Sequence, residues 1–285
     1  MNNLQLEHGI DLYIDLIKKT LTASIYEEST WSLIVLGRRE SKLPRNPLRL
    51  ARALLRDLLA RTLRKRSISL IRENPYSAAK RDEGKDWPFF AYTMVGHRRL
   101  DNVQTCFEDV LRNGVPGDLI ETGVWRGGTT IFMRALLKAY GVKDRKVWVA
   151  DSFEGLPVPK SSDDGCDLSQ VQCLKVSLEK VKSNFEKFGL LDEQVEFLKG
   201  WFCDTLPNAP IQNVAILRLD GDLYSSTMDS LQNLYHKVSK GGYVIVDDYY
   251  SWPSCRAAIT DFLAKNSLKP EIKAIDWTGA YWKCE

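Results

Sequence analysis

The stretch Gly117-Asp118-Leu119-Ile120-Glu121-Thr122-Gly123-Val124-Trp125-Arg126-Gly127-Gly128 decides the fold. Asp118 to Glu121 reads as a buried strand, and Thr129 to Tyr140 carries the apolar spacing of a helix. The glycines between them let the backbone turn tightly and approach a ligand closely. The same alternation continues downstream. Strands are predicted at Lys146 to Ala150, Gln194 to Leu198, Val214 to Leu219 and Gly242 to Val246. Helices fall between and after them, at Leu174 to Phe188, Ser226 to Ser239 and Ser254 to Ala264, and a helix from about Met94 to Leu111 precedes the first strand. Lys269 to Ile275 with Gly279 to Lys283 read as a closing antiparallel hairpin. Repeated strand-helix units imply an α/β, doubly wound Rossmann-like sheet, mostly parallel, with that hairpin at its C-terminal end.

The glycine loop narrows the ligand. A dinucleotide fingerprint needs a glycine where Trp125 stands, and no Walker lysine follows, so neither a pyrophosphate nor a P-loop reading fits. One unit later, Asp151-Ser152-Phe153-Glu154-Gly155 puts a carboxylate where nucleotide folds bind ribose hydroxyls. A ligand with a ribose and no pyrophosphate satisfies both, and S-adenosylmethionine is one. After the next strand, Trp201 either stacks on an adenine or belongs to the core.

Two acidic pairs follow the later strands: Asp220-Gly221-Asp222 and Asp247-Asp248. Carboxylates crowded at the ligand-binding edge of a sheet raise one another's pKa unless a cation or proton intervenes. A hard, oxygen-seeking ion such as Mg2+ is the economical answer, with one spare aspartate to move a proton. Asp222 is the candidate base; its alternative is an N-cap before Ser225-Ser226-Thr227. The histidines, His8, His97 and His236, show no metal-ligand spacing.

The N-terminal part is different. Apolar positions Ile10, Leu12, Tyr13, Leu16, Ile17 and Leu21 recur at helical spacing, and a second short helical pattern lies around Trp31 to Leu36. Between Leu36 and Arg72, twelve Lys or Arg face only Glu40 and Asp57, a local charge of +10 that leaves −7 for the rest of a +3 chain. A basic amphipathic helix is predicted over 46–66. It can pack on its own domain, which is the favoured reading, or meet a partner or an anionic membrane. Residues 1–90 thus form an N-terminal helical, lid-like segment and 91–285 the α/β domain. No long apolar run or signal-like start appears, six cysteines are scattered without a Cys-x-x-Cys, and a cytoplasmic location is expected.

Four segments together resemble the macrocin O-methyltransferase family: Gly117 to Gly128, Val149 to Pro157, Leu217 to Asp222 and Val246 to Tyr249. The resemblance runs from about Asp86 to the C-terminus and includes the Tyr13 to Glu27 segment; the basic stretch is longer and more basic than in the antibiotic enzymes. It implies a class I methyltransferase sheet, S-adenosylmethionine as methyl donor, and Mg2+, with Mn2+ as an alternative. The acceptor it implies is a small molecule, a sugar hydroxyl of a glycosylated natural product in antibiotic biosynthesis. It also implies a homodimer or higher homo-oligomer, and no nucleic acid is expected. The cofactor contacts fall at Thr93, Met94, Glu121, Thr122, Gly123, Val124, Trp125, Gly127, Asp151, Ser152, Phe153 and Trp201. The metal ligands fall at Asp220, Asp247 and Asp248, with Asp222 as base. Trp87, Tyr249, Tyr250 and Trp252 are candidate walls for a sugar ring or ordinary core. A catechol or other diol as acceptor, and a non-enzymatic nucleotide-binding module, are the alternatives.

Overall fold

A computed structural model describes residues 3–27, 30–33, 46–64, 71–86, 88–159, 161–165 and 167–285. The N-terminal part comprises helix α1 (Asn3–Leu21), strand β1 (Thr30–Leu33), helix α2 (Pro47–Arg64), strand β2 (Ile71–Asn74) and helix α3 (Ala78–Asp82). The α/β part runs α4 (His97–Arg112), β3 (Asp118–Thr122), α5 (Gly128–Ala139), β4 (Val147–Asp151), α6 (Leu178–Lys187) and β5 (Val195–Lys199). It continues with α7 (Phe202–Thr205), β6 (Val214–Leu219), α8 (Tyr224–Leu234), β7 (Val238–Val246), α9 (Pro253–Lys265), β8 (Lys273–Ala274) and β9 (Ala280–Lys283).

The main sheet has the order β5-β4-β3-β6-β7-β9-β8. β5, β4, β3, β6 and β7 are parallel, while β9 and β8 run antiparallel, as the closing hairpin implied. The order reverses between β3 and β6. Chain leaving β3 turns to one side and chain leaving β6 to the other, which opens a crevice at the C-terminal strand edge.

Alternation along the strands separates two cores. Leu119, Val147, Val149, Ile216 and Ile245 pack toward α1, α4, α5 and α6. Ile120, Trp148, Ala150, Leu217, Leu219, Val244 and Val246 pack toward α8 and α9. Ile14, Ile17 and Leu21 from α1 are buried in the first of these cores, so α1 packs on the α/β part.

Several local expectations are corrected. The helical pattern at Trp31 to Leu36 is a strand from Thr30 to Leu33, paired antiparallel with Ile71–Asn74; residues 34–36 lie outside the described ones. β-branched and aromatic residues at Thr30 and Trp31, with a partner strand available, suit extended backbone. The helix expected from Met94 begins at His97, because Thr93 Oγ1 accepts the Val95 N–H at 3.2 Å and holds the preceding residues in a turn. β7 starts at Val238 rather than Gly242, and α8 ends at Leu234 in a 3-10 turn. The basic helix spans Pro47–Arg64 of the expected 46–66, and Leu48, Leu55, Leu58 and Leu59 on it are exposed. Among the described residues, no helix is long and apolar enough to cross a membrane.

Leu21→Ala removes a fully buried side chain at the end of α1. It should cost about 2–5 kcal/mol, read as a lower urea midpoint of one shared unfolding transition. A separate early transition for α1, with the midpoint of the α/β part unchanged, would show that the helix is an independent appendage.

Candidate active site

The crevice is floored by the loop after β3. Gly123 has φ +92°, and a Cβ there would lie 1.8 Å from the Asp220 carbonyl oxygen. Only glycine lets the β3 and β6 loops approach this closely. Gly127, with φ +84°, caps α5, while Trp125 takes φ +49° in the same loop. Asp151, at the end of β4, ties the loop down. Its Oδ2 accepts the Val124 N–H and its Oδ1 the Phe153 N–H, both at 2.7 Å. Burial pushes its carboxyl up, against those amides. The Trp125 backbone and the Ser152 hydroxyl, 3.4 Å from Oδ1, also face this carboxylate, which stands where a nucleotide fold receives a ribose.

Other expected cofactor residues surround this loop. Glu121 and Thr122 are buried at the end of β3. Thr93 is buried 3.5 Å from Thr129 Oγ1 in the first turn of α5, with Met94 half-buried beside it. Arg126 clasps this covering segment by donating to the carbonyls of Phe89 at 2.6 Å and Ala91 at 2.7 Å. The Ser152 hydroxyl donates to Gly155 O at 2.7 Å and accepts the Glu154 N–H, and Phe153 is buried. Trp201 is half-buried at the N-cap of α7.

Asp220, Asp222 and Asp248 offer oxygens that all lie within 4.8 Å of one another. Burial, then the neighbouring carboxylates, pushes Asp220 up to about 6, Asp222 up to about 7 and Asp248 well above its ordinary range. Asp248 Oδ2 is buried and has no hydrogen-bond partner among the described residues. An all-carboxylate donor set with one such oxygen fits a hard divalent cation. Asp222 takes φ +57°, and its carbonyl accepts the Ser254 hydroxyl at 3.1 Å. It does not cap α8. Leu223 holds that position without a side-chain bond, and the Ser225 N–H goes to Asp164 Oδ1 at 2.7 Å.

Of the expected metal ligands, Asp247 is the one that lies outside the three-carboxylate cluster. Arg218 donates to its Oδ1, and Arg99 donates to its Oδ2 at 2.5 Å. The reason is strand alternation: Asp247 points to the α4 side of the sheet, where both guanidiniums lie, and Asp248 does not. The two cations hold the Asp247 carboxyl below its usual range despite burial. Arg218 and Arg99 went unremarked in the sequence. The available signal was Arg218 itself, a lone charge inside the apolar run Val214 to Leu219, since a fully buried charge requires partners.

The supposed sugar walls divide. Tyr249 is buried in the second core and Trp252 packs against it, whereas Tyr250 is exposed; Trp87 lies outside the described residues. His97 Nε2 lies 2.7 Å from Ser24 Oγ and 3.1 Å from Thr22 Oγ1, joining α4 to the end of α1.

This strand order, with a glycine loop after β3 and an acid after β4, defines a class I methyltransferase fold. Residues 10–284 match the family model for macrocin-O-methyltransferase (TylF), and the chain belongs to that family. It is 52% identical over 217 residues to demethyldecarbamoylnovobiocin O-methyltransferase of Streptomyces niveus, covering 74% of this chain and 83% of that one. It is 45% identical over 282 residues to the 8-demethyl-8-(2,3-dimethoxy-alpha-L-rhamnosyl)-tetracenomycin-C 4'-O-methyltransferase of Streptomyces olivaceus, covering 97% and 94%. The solved structure of the O-methyltransferase NovP superposes with a TM-score of 0.79 at 45% identity, covering 96% of this chain and 99% of that one.

Gly123→Ala would force a Cβ into the Asp220 backbone at a left-handed φ. Strain of this kind costs about 1–3 kcal/mol. The variant should melt at lower temperature and show no S-adenosylmethionine binding by calorimetry. Unchanged binding would mean that the loop relaxes without consequence for the ligand.

Proposed function

We propose that this chain transfers the methyl group of S-adenosylmethionine to a sugar hydroxyl of a glycosylated natural product, with the help of Mg2+. The observation that carries the reading is the convergence of Asp220, Asp222 and Asp248 beside the glycine loop and Asp151. The sugar acceptor is supported by the 45% identity to an enzyme named for a rhamnosyl substrate.

The donor's positions follow from this chain's own groups. Asp151 would hold the ribose, Gly123 would let the backbone come close to the donor, and Thr93 with Met94 would cover it. Glu121 Oε2, buried and without a hydrogen-bond partner among the described residues, suits the donor's ammonium group. Asp220 and Asp248 would hold the metal ion, together with Asp222, or with Asp247 if its guanidinium partners yield. A divalent ion there would supply charge that lowers the pKa of a bound hydroxyl and orients it.

Asp222 is then placed to accept the proton that the hydroxyl loses as its oxygen takes the methyl from sulfur. Its left-handed backbone, held by Ser254, turns the residue away from the course of α8 and keeps it beside Asp220 and Asp248. Burial and the Asp220 carboxylate raise its proton affinity above that of a solvated aspartate, and a cation on Asp220 and Asp248 would relieve the part due to charge.

Asp222→Asn should lower kcat by roughly 10²–10⁴-fold, the usual span for loss of general base catalysis, while donor affinity by calorimetry stays within about threefold. Mass-spectrometric methyl transfer to a panel of glycosides and catechols, with and without EDTA, tests the rest. The expected result is transfer to glycosides that EDTA abolishes. Transfer that survives EDTA would overturn the metal, and transfer to catechols alone would overturn the acceptor.

A further inference from the structure

Glu121, Arg218 and Asp247 belong to the neighbouring strands β3, β6 and the end of β7. In the parallel register Arg218 stands directly beside Glu121 on one side and Ile245 on the other. Its side chain is 1% exposed and its guanidinium makes three ionic contacts at once. Nη1 donates to Glu121 Oε1 and, at 2.8 Å, to Asp220 Oδ2, while Nη2 donates to Asp247 Oδ1. Arg99, from α4, holds the second oxygen of Asp247 and lies 3.1 Å from Asp276.

Asp220 is the member shared by this network and the three-carboxylate cluster. Its carboxyl is pushed up by burial and by Asp247, it shares the cluster with Asp222 and Asp248, and among the described residues Arg218 is the cation in contact with it. Without that contact, repulsion drives the Asp220 carboxylate outward or makes it take up a proton. A lysine could not substitute, because an ammonium on a flexible stem lacks the planar fork that reaches three carboxylates together.

We propose that Arg218 is a positioning residue for metal binding: its fork fixes Asp220 toward Asp222 and Asp248 before any cation arrives. The inference rests on the metal-dependent reading of the site and adds to it the residue that builds the seat. Partners behind metal ligands commonly carry 10–100-fold of metal affinity, so an effect of that order, at least about tenfold, is expected here.

The test is a titration with Mn2+, followed by electron paramagnetic resonance of the free ion, on protein without donor or acceptor. Wild-type protein should bind, and Arg218→Lys, which keeps the charge and loses the fork, should bind about tenfold or more weakly. The Mg2+ concentration for half-maximal turnover should rise by the same factor, and excess Mg2+ should recover the rate. A merely structural ion pair predicts otherwise: a lower melting temperature with Mn2+ affinity unchanged or tighter, and that result overturns the proposal. Should Arg218→Lys not fold, the double variant Glu121→Gln with Arg218→Gln removes the guanidinium together with its fully buried partner charge, and retention of wild-type Mn2+ affinity there overturns it equally. Absence of Mn2+ binding to the wild-type chain instead overturns the metal reading itself, with this inference falling as a consequence.

Discussion

Glu121, Asp220 and Asp247 share one buried guanidinium, and the site depends on that arrangement. A charge taken out of water is tolerated only when partners replace its hydration. Here the replacement is mutual. Attraction to three carboxylates raises the pKa of Arg218 despite burial, while Glu121, at the protein interior, is pushed up to about 8 by burial that outweighs the arginine. Asp220 and Asp247 therefore satisfy the guanidinium alongside Glu121, and the network stays paired whether or not Glu121 carries a proton.

The fold supplies the placement before any chemistry is asked of it. The topological switch between β3 and β6 brings the Gly123 turn against the Asp220 backbone, and the adjoining strand β7 delivers Asp247 and Asp248 at the same level. Strand alternation then sorts the last pair. One aspartate goes to the arginine side and the other to the open cluster, so two consecutive identical residues acquire different surroundings. Around the opening, Arg126 links the glycine loop to the 88–93 segment through two backbone carbonyls, which gives the two a common anchor.

Much of this was legible in the chain. Hydrophobic runs of strand length ending in glycine or aspartate located β3, β4, β6 and β7 to within a few residues, because buried parallel strands must be apolar and their ends must not be. The acids at 151, 220, 222 and 248 were legible for the same reason. What was not legible depended on long-range pairing. Thr30–Leu33 became a strand through Ile71–Asn74, some forty residues away, and local periodicity carries no trace of that partner. The role of Arg99 was likewise hidden, since on a helix rich in charges it looks like any exposed arginine until α4 is laid on the sheet.

Asp247 shows where composition stops and geometry begins. Its neighbour in sequence and the repulsion among four aspartates make all of them equivalent on paper, each a candidate for the same cation. Two resident guanidiniums break that equivalence by neutralising one carboxylate and half-neutralising a second. The carboxyls left without a guanidinium, Asp222 and Asp248, crowd against the free side of Asp220 and are driven to take up a proton or a cation, at the edge where the crevice opens. Under the proposed reading a divalent ion would be drawn to those carboxyls, and the arginines that look like competitors of the ligands would give that attraction its direction.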